Sequence, residues 1–302
     1  MSEIIPVVIS FDENYLIPAL MTVRSIIDTC SDLSRIEFVV LHRNLDQRHR
    51  EVFAQIVFSY GSIVSFIDCT ERFKELTHRD ERKSEVFLML LVPQLFADRK
   101  HVIVIDTDVL VRDDILKTVH ELPHDKKLGA VRCMLRRLEK LGDVGGHNHY
   151  AAHVIGIEKV ENYFNSGFVV FNMQNVTKED AEACISLLSK KWQSDDEAIL
   201  NYVFQHSLHL FPLRWNFYVT YCNEPETYFS SYVQEQFLEG RDDAAICHFI
   251  ADYKPWRMDT GLAYDNKYRQ EYRELWKSVK EDFMKQAALV LGGRMWKAMN
   301  RV

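Results

Sequence analysis

The stretch His101-Val102-Ile103-Val104-Ile105-Asp106-Thr107-Asp108-Val109-Leu110-Val111 decides how this chain is read. An apolar, β-branched run of this kind is a strand buried on both faces. Two carboxylates stand one residue apart within it, and burying a strand requires neither. Acids held that close repel each other unless a cation lies between them. Their oxygens suit a hard divalent ion such as Mg²⁺ or Mn²⁺. The pattern points to a metal-bound phosphate, and so to a nucleotide.

Outward from this strand, periodicity organises the chain. Ile5-Pro6-Val7-Val8-Ile9-Ser10-Phe11 reads as a first buried strand, followed by Asp12-Glu13-Asn14-Tyr15 and a helix over Leu16–Thr29. Strands are expected at Glu37–Leu41 and Ile63–Ile67, with a helix over Gln47–Phe58 between them. An apolar helix over Ser84–Ala97, kinked at Pro93, precedes the decisive strand, and Leu128–Cys133 follows it. Such alternation predicts a mostly parallel sheet with helices on both faces. Ligands of these sheets bind beyond the carboxyl ends of the strands. Asp12 and Asn14 therefore belong at the same edge as Asp106 and Asp108. The second half is less regular. Phe168–Asn172 and Ile246–Phe249 read as strands, and Lys178–Lys191 and Asp195–Gln205 as helices. Lys267–Gln286 is a polar helix, and the last residues form another.

Composition narrows the function. Lys plus Arg is 37 against 44 for Asp plus Glu, a formal net charge of −7, which argues against broad nucleic-acid binding. The six cysteines, at 30, 69, 133, 184, 222 and 247, show no CxxC spacing and read as buried thiols of a reducing compartment. The first residues lack the basic and apolar regions of a secretory signal. No window reaches the roughly 20 apolar residues of a membrane span. The expected location is the cytoplasm.

Five landmarks in order give a sharper reading. They are Phe11-Asp12-Glu13-Asn14-Tyr15, Asp106-Thr107-Asp108, Tyr163-Phe164-Asn165-Ser166-Gly167, Asp196-Glu197-Ala198-Ile199-Leu200-Asn201, and His248 followed by Lys254-Pro255-Trp256. A DxD triplet alone is common, but the five together resemble the retaining glycosyltransferases of family eight, collinearly over nearly the whole chain. The resemblance implies a nucleotide-sugar-binding GT-A-like fold and Mn²⁺-dependent transfer, Mg²⁺ being the other candidate ion. It implies Asp106, Asp108 and His248 as metal ligands. It implies Asp12 and Asn14 on the uracil and ribose, and Thr107 of the DxD motif and Lys254 beside the diphosphate. Asn165 and Asp196 fall on the transferred sugar. Glu197 stands where the family commonly has Gln, beneath the anomeric carbon. A glutamate there could attack that carbon. It could equally close a capping box with Ser194, at a helix N-terminus that lowers its nucleophilicity. A front-face route, with the departing phosphate assisting the incoming hydroxyl, is the preferred mechanism.

Two departures accompany the resemblance. Met89 stands where the family usually has Arg, and Cys133 where it usually has Asp; Arg132, Arg136 or Lys83 could compensate. Gly145-Gly146-His147-Asn148-His149-Tyr150-Ala151-Ala152-His153 reads as a loop over the site in preference to a second metal centre. The tail from Phe283 to Val302 mixes Lys285, Arg294, Lys297 and Arg301 with Leu289, Trp296 and Met299. It could lie on an anionic inner membrane or pack on the catalytic domain, and Gly292-Gly293 weakens a continuous helix.

The expectation is a GT-A-like α/β catalytic domain over residues 1–265 with a helical extension over 266–302. Its activity would be transfer of glucose or galactose, with retention, from UDP-glucose or UDP-galactose to a saccharide hydroxyl. A lipid-linked acceptor, in lipopolysaccharide or other surface-glycan synthesis, fits that expectation. The competing readings are a non-catalytic nucleotide-sugar-binding or scaffold protein, motivated by Met89 and Cys133, and a metal-dependent nucleotidyltransferase. The latter lacks a Gly-rich phosphate loop after the first strand.

Overall fold

The computed structural model describes residues 3–74, 85–137, 146–193, 195–250, 254–257 and 266–299. Its strands are β1 (Ile5–Ser10), β2 (Ile36–His42), β3 (Val64–Asp68), β4 (His101–Ile105), β5 (Val109–Val111), β6 (Leu128–Arg132), β7 (Phe164–Asn172), β8 (Leu208–Phe211), β9 (Phe217–Tyr218) and β10 (Ile246–His248). Seven form one sheet in the order β3-β2-β1-β4-β7-β6-β8, and β5-β10-β9 form a second. Within the large sheet β7 runs antiparallel to both neighbours, and the other pairings are parallel. This is the mostly parallel sheet the alternation predicts.

The central strands are buried on both faces because alternate residues enter different cores. Val7, Ile9, Phe38, Val40, Ile103 and Ile105 join one cluster. Val8, Val39, Leu41, Val102 and Val104 join the other. The helices Leu16–Thr29 and Gln47–Ser59 cover the first face, and the helices Lys178–Ser186 and Asp195–Phe204 the second.

Several boundaries differ from the sequence reading. The decisive stretch is two strands. β4 stops at Ile105, and β5 crosses to the smaller sheet, where it pairs with β10. Asp106 and Asp108 sit on the crossing, because the Asp106 N–H donates to Gly167 O at 2.9 Å and Asp108 O accepts from the Phe249 N–H at 3.0 Å. The expected helix over Ser84–Ala97 is a 3-10 segment, Val86–Leu91, running into a short α-turn, Val92–Leu95. Pro93 lies in that first turn, where a missing N–H costs nothing, so it starts the turn. The helix expected to reach Lys191 ends as a 3-10 turn, Leu187–Lys190, with Lys191 left-handed at φ 56°.

His147–Tyr150 and Ala151–Ile155 form helical turns, so the three histidines do not lie in an open loop; Gly145 falls outside the described residues. Lys267–Met299 is one helix, not two. Extending a helix already nucleated is cheap, so about 1 kcal/mol per glycine at Gly292 and Gly293 does not stop it. Its buried Tyr268, Tyr272, Val279, Phe283 and Ala287 enter the first core, which favours packing on the body for that part of the tail. Among the described residues no helix is long and apolar enough to cross a membrane.

Candidate active site

The topology gathers the landmarks at one edge. β4 delivers Asp106 and Asp108 just beyond its carboxyl end. Because β7 is antiparallel, with Phe168 opposite Ile105, its beginning lies beside that end and brings Asn165, Ser166 and Gly167 there. β10 pairs His248 with Val109, next to Asp108. Asn201, on the helix carrying Asp196 and Glu197, exchanges hydrogen bonds with the Phe164 backbone at 2.9 and 2.8 Å. That clamp sets Glu197 against Asn165.

Asp106, Asp108 and His248 converge, each offering one ligand atom within 4.8 Å of the others. His248 Nε2 is 3.5 Å from Asp106 Oδ2 and 3.2 Å from Asp108 Oδ1. Their charges are unequal. Burial and the neighbouring Asp108 push the Asp106 carboxyl above its ordinary range. Burial also works against the Asp108 carboxylate, but His248 and Lys254 outweigh it and hold that group low. Lys254 Nζ donates to Asp108 Oδ2, and to Phe249 O at 2.7 Å.

The sugar-facing candidates form a second polar layer. Asn165 Nδ2 donates to Glu197 Oε2 at 2.8 Å, and Ser166 Oγ to Asp196 Oδ2 at 2.9 Å. Asp196 is buried, and burial, Glu197 and Asp106 push its carboxyl up to about 7. Gly167 has no room for a side chain. A Cβ would come within 2.4 Å of His248 Cε1 and 2.7 Å of Asp106 Oδ2. Its place in the landmark is thus a close approach between strand and site. The capping box expected at Glu197 rests on Ser194, outside the described residues.

Asp12 and Asn14 are held to each other. Asp12 Oδ1 accepts from the Asn14 N–H at 2.9 Å and Oδ2 from Asn14 Nδ2 at 3.2 Å. The next residue, Tyr15, meets Trp256 edge-on at 6.1 Å, and Lys254 Nζ lies 5.9 Å from the Trp256 ring centre. The first loop thereby adjoins the Lys254 side of the site. Thr107 is buried between the two acids in sequence.

Met89 is buried in the second core. Cys133 accepts from Tyr218 OH at 3.6 Å, and the Tyr218 ring stands edge-on to His248 at 5.7 Å. Arg132 turns to Glu161 O and Asn162 Oδ1, and Lys83 lies outside the described residues. Sequence reasoning missed Tyr218 and Asn216. Asn216 is fully buried, between His248 Nδ1 at 2.8 Å and Asn165 Oδ1 at 2.9 Å. The available signal was one amide set in the apolar run Trp215, Phe217, Tyr218.

Comparison with known proteins gives the same picture. The chain is 24% identical over 278 residues to lipopolysaccharide 1,2-glucosyltransferase of Escherichia coli, covering 89% of this chain and 78% of the relative. It is 21% identical over 275 residues to general stress protein A of Bacillus subtilis (strain 168), covering 88% and 92%. Its fold matches the galactosyltransferase LgtC, solved with donor and acceptor sugar analogs, at a TM-score of 0.69 and 23% identity over 91% of this chain and 96% of that one. It also matches the bifunctional glycosyltransferase WbbM at a TM-score of 0.72 and 21% identity, where all of this chain spans 52% of the other. The model of glycosyl transferase family 8 matches residues 6–260. That range runs from β1 through Lys254 and holds every landmark of the site, and the chain belongs to glycosyl transferase family 8.

Proposed function

We propose that this protein is a retaining, metal-dependent hexosyltransferase. It moves glucose or galactose from a UDP-sugar to a saccharide hydroxyl, in the synthesis of lipopolysaccharide or another surface glycan. The observation that carries the reading is the convergence of Asp106, Asp108 and His248 beside Asn165, Asp196 and Glu197. The donor set fits a divalent ion. It combines two carboxylates with an imidazole whose other nitrogen is occupied by Asn216, and the strain on Asp106 is the kind a cation relieves. An imidazole ligand favours Mn²⁺ over Mg²⁺. Held there, the ion would neutralise the diphosphate and stabilise it as a leaving group.

The remaining roles belong to this chain's own side chains. Asp12 and Asn14 hold the nucleoside, with Thr107 backing the DxD turn. Lys254, a point charge on a flexible stem that pairs with Asp108 here, would hold the diphosphate. Asp196, steadied by Ser166, binds sugar hydroxyls. Asn165 engages one Glu197 oxygen, which supports Glu197 as a fixed acceptor beneath the sugar and the front-face route for transfer. Residues 1–265 form the catalytic body in this proposal. The extension over 266–302 carries Lys285 and Leu289, both exposed, toward a peripheral inner-membrane contact near a lipid-linked acceptor. The protein works in the cytoplasm.

The test is a panel of nucleotide sugars with Mn²⁺, scored for nucleotide diphosphate release. Candidate acceptors follow with the best donor, and the product anomer is read by NMR. Release from UDP-glucose or UDP-galactose with a retained anomer is expected. Binding without turnover across panel and acceptors would favour the scaffold reading, and an inverted product would overturn retention.

A further inference from the structure

We infer that Asn216 is a positioning residue: it fixes His248 as the Nδ1–H tautomer, so that Nε2 faces the two carboxylates as a lone pair, and it ties that ligand to Glu197. The inference deepens the metal-dependent reading above and rests on it.

The argument starts from a backbone group whose chemistry is fixed. The Gly167 N–H can only donate, and it meets Asn165 Oδ1 at 3.0 Å. That places the Asn165 oxygen on this side and its Nδ2 toward Glu197 Oε2, 2.8 Å away. The group of Asn216 that meets the same Asn165 oxygen, at 2.9 Å, must then be its amide nitrogen. Asn216 Oδ1 is left facing His248 Nδ1 at 2.8 Å. An oxygen facing an imidazole nitrogen requires the proton on that nitrogen, so His248 carries it on Nδ1. Each assignment follows from the previous one, and none depends on which way a side-chain amide was first drawn.

Burial makes the chain of assignments strict. Asn216 is fully buried and His248 is 3% exposed, so neither the amide nor the imidazole can turn over and find water instead. A polar group orphaned there would bear its full desolvation penalty. The residue comes from the 3-10 turn Leu213–Asn216, which leads directly into β9, the strand paired with β10. The smaller sheet thus holds the histidine and its orienting amide in fixed register. Three links result, His248 to Asn216 to Asn165 to Glu197, all donating in one direction and ending on a carboxylate. Partners of this kind around a ligating histidine set its tautomer and ring orientation, and their loss commonly costs 10- to 100-fold in metal affinity.

The experiment uses the full chain and two substitutions. Binding of Mn²⁺ with UDP present is measured from the EPR signal of the free ion. Asn216→Leu, of similar volume, offers His248 no acceptor and should weaken Mn²⁺ about 10- to 100-fold. Asn216→Asp keeps an acceptor toward Nδ1 and should restore most of that loss, which a packing role would not allow. Long-range ¹H–¹⁵N NMR of histidine-labelled wild type with Mg²⁺ and UDP reads the tautomer directly and needs no altered residue at 216. Assignment by His248→Gln should show the His248 proton on Nδ1. A proton on Nε2, or Mn²⁺ affinity unchanged in Asn216→Leu, or no recovery in Asn216→Asp, overturns the inference. Wild type that binds no Mn²⁺ with UDP instead removes the metal reading beneath it.

Discussion

Glu197 and Asp196 are adjacent in sequence but differ in what their charge does. Glu197 Oε2 accepts from Asn165, and a glutamine in its place could accept the same bond through its carbonyl. If the front-face route operates, Glu197→Gln should keep kcat within about tenfold of wild type, whereas losing a nucleophile would cost well over 10³-fold. Steady-state rates with the preferred donor decide between them. Asp196 is a stability matter as well as a binding one. Its carboxyl rises from 3.8 to about 7, chiefly through burial and then through Glu197. For a raised pKa the contribution is fully present below the unfolded value and is lost as pH climbs through the folded one. The penalty therefore accrues between about pH 4 and 7. Asp196→Asn should raise the Tm of the unliganded protein by about 2 to 6 °C at pH 8, a gain that fades toward pH 4. A gain independent of pH in calorimetry would show that burial of this charge is not the cause.

Elements were legible in the sequence where the information that makes them is local. The β-branched runs at Ile5–Ser10 and His101–Ile105, and the 3.6-residue period of Leu16–Thr29, needed no distant partner to be read. The break after Ile105 was not legible, because Gly167 O and the Phe249 N–H make it, and both lie far along the chain. The candidate metal triad was legible through its motif, and the fold brings its three side chains together. Asn216 was not, since an orienting amide has no motif and earns its place only once β9 meets β10. The C-terminal helix shows the same division. Its sequence reads as a polar helix over Lys267–Gln286, which hides the aromatic face, and Gly292-Gly293 hides the continuity. On that face Tyr272 packs with Phe249, Trp256 and Trp276, while its hydroxyl is buried and finds no partner among the described residues. Removing an unsatisfied hydroxyl gives up no hydrogen bond. Tyr272→Phe should thus hold or raise Tm, by up to about 2 °C, and a clear fall in thermal melting would reveal a bond to the hydroxyl.

At the scale of the molecule, two sheets meet at the DxD crossing, and the candidate site takes one segment from each. The larger sheet supplies Asp106 and the sugar-side layer, and the smaller supplies His248 with its support. Lys254 closes the join by pairing with Asp108. This pairing has a thermodynamic consequence for ligand binding. A cation entering between the carboxylates must displace an ammonium that then needs a new anion, and a diphosphate supplies one. Each ligand removes a cost the other would bear alone, so the two should bind with positive coupling. Mn²⁺ alone and UDP alone should each shift Tm little. With UDP saturating, Mn²⁺ at about 100 times its dissociation constant for the UDP complex should add about 2.7 kcal/mol of stability, or roughly 5 °C. Lys254→Met should leave Asp108 open and so raise affinity for Mn²⁺ alone while lowering the coupling with UDP. Additive shifts in the wild type, or coupling unchanged in Lys254→Met, would mean that this lysine does not move between the carboxylate and the diphosphate.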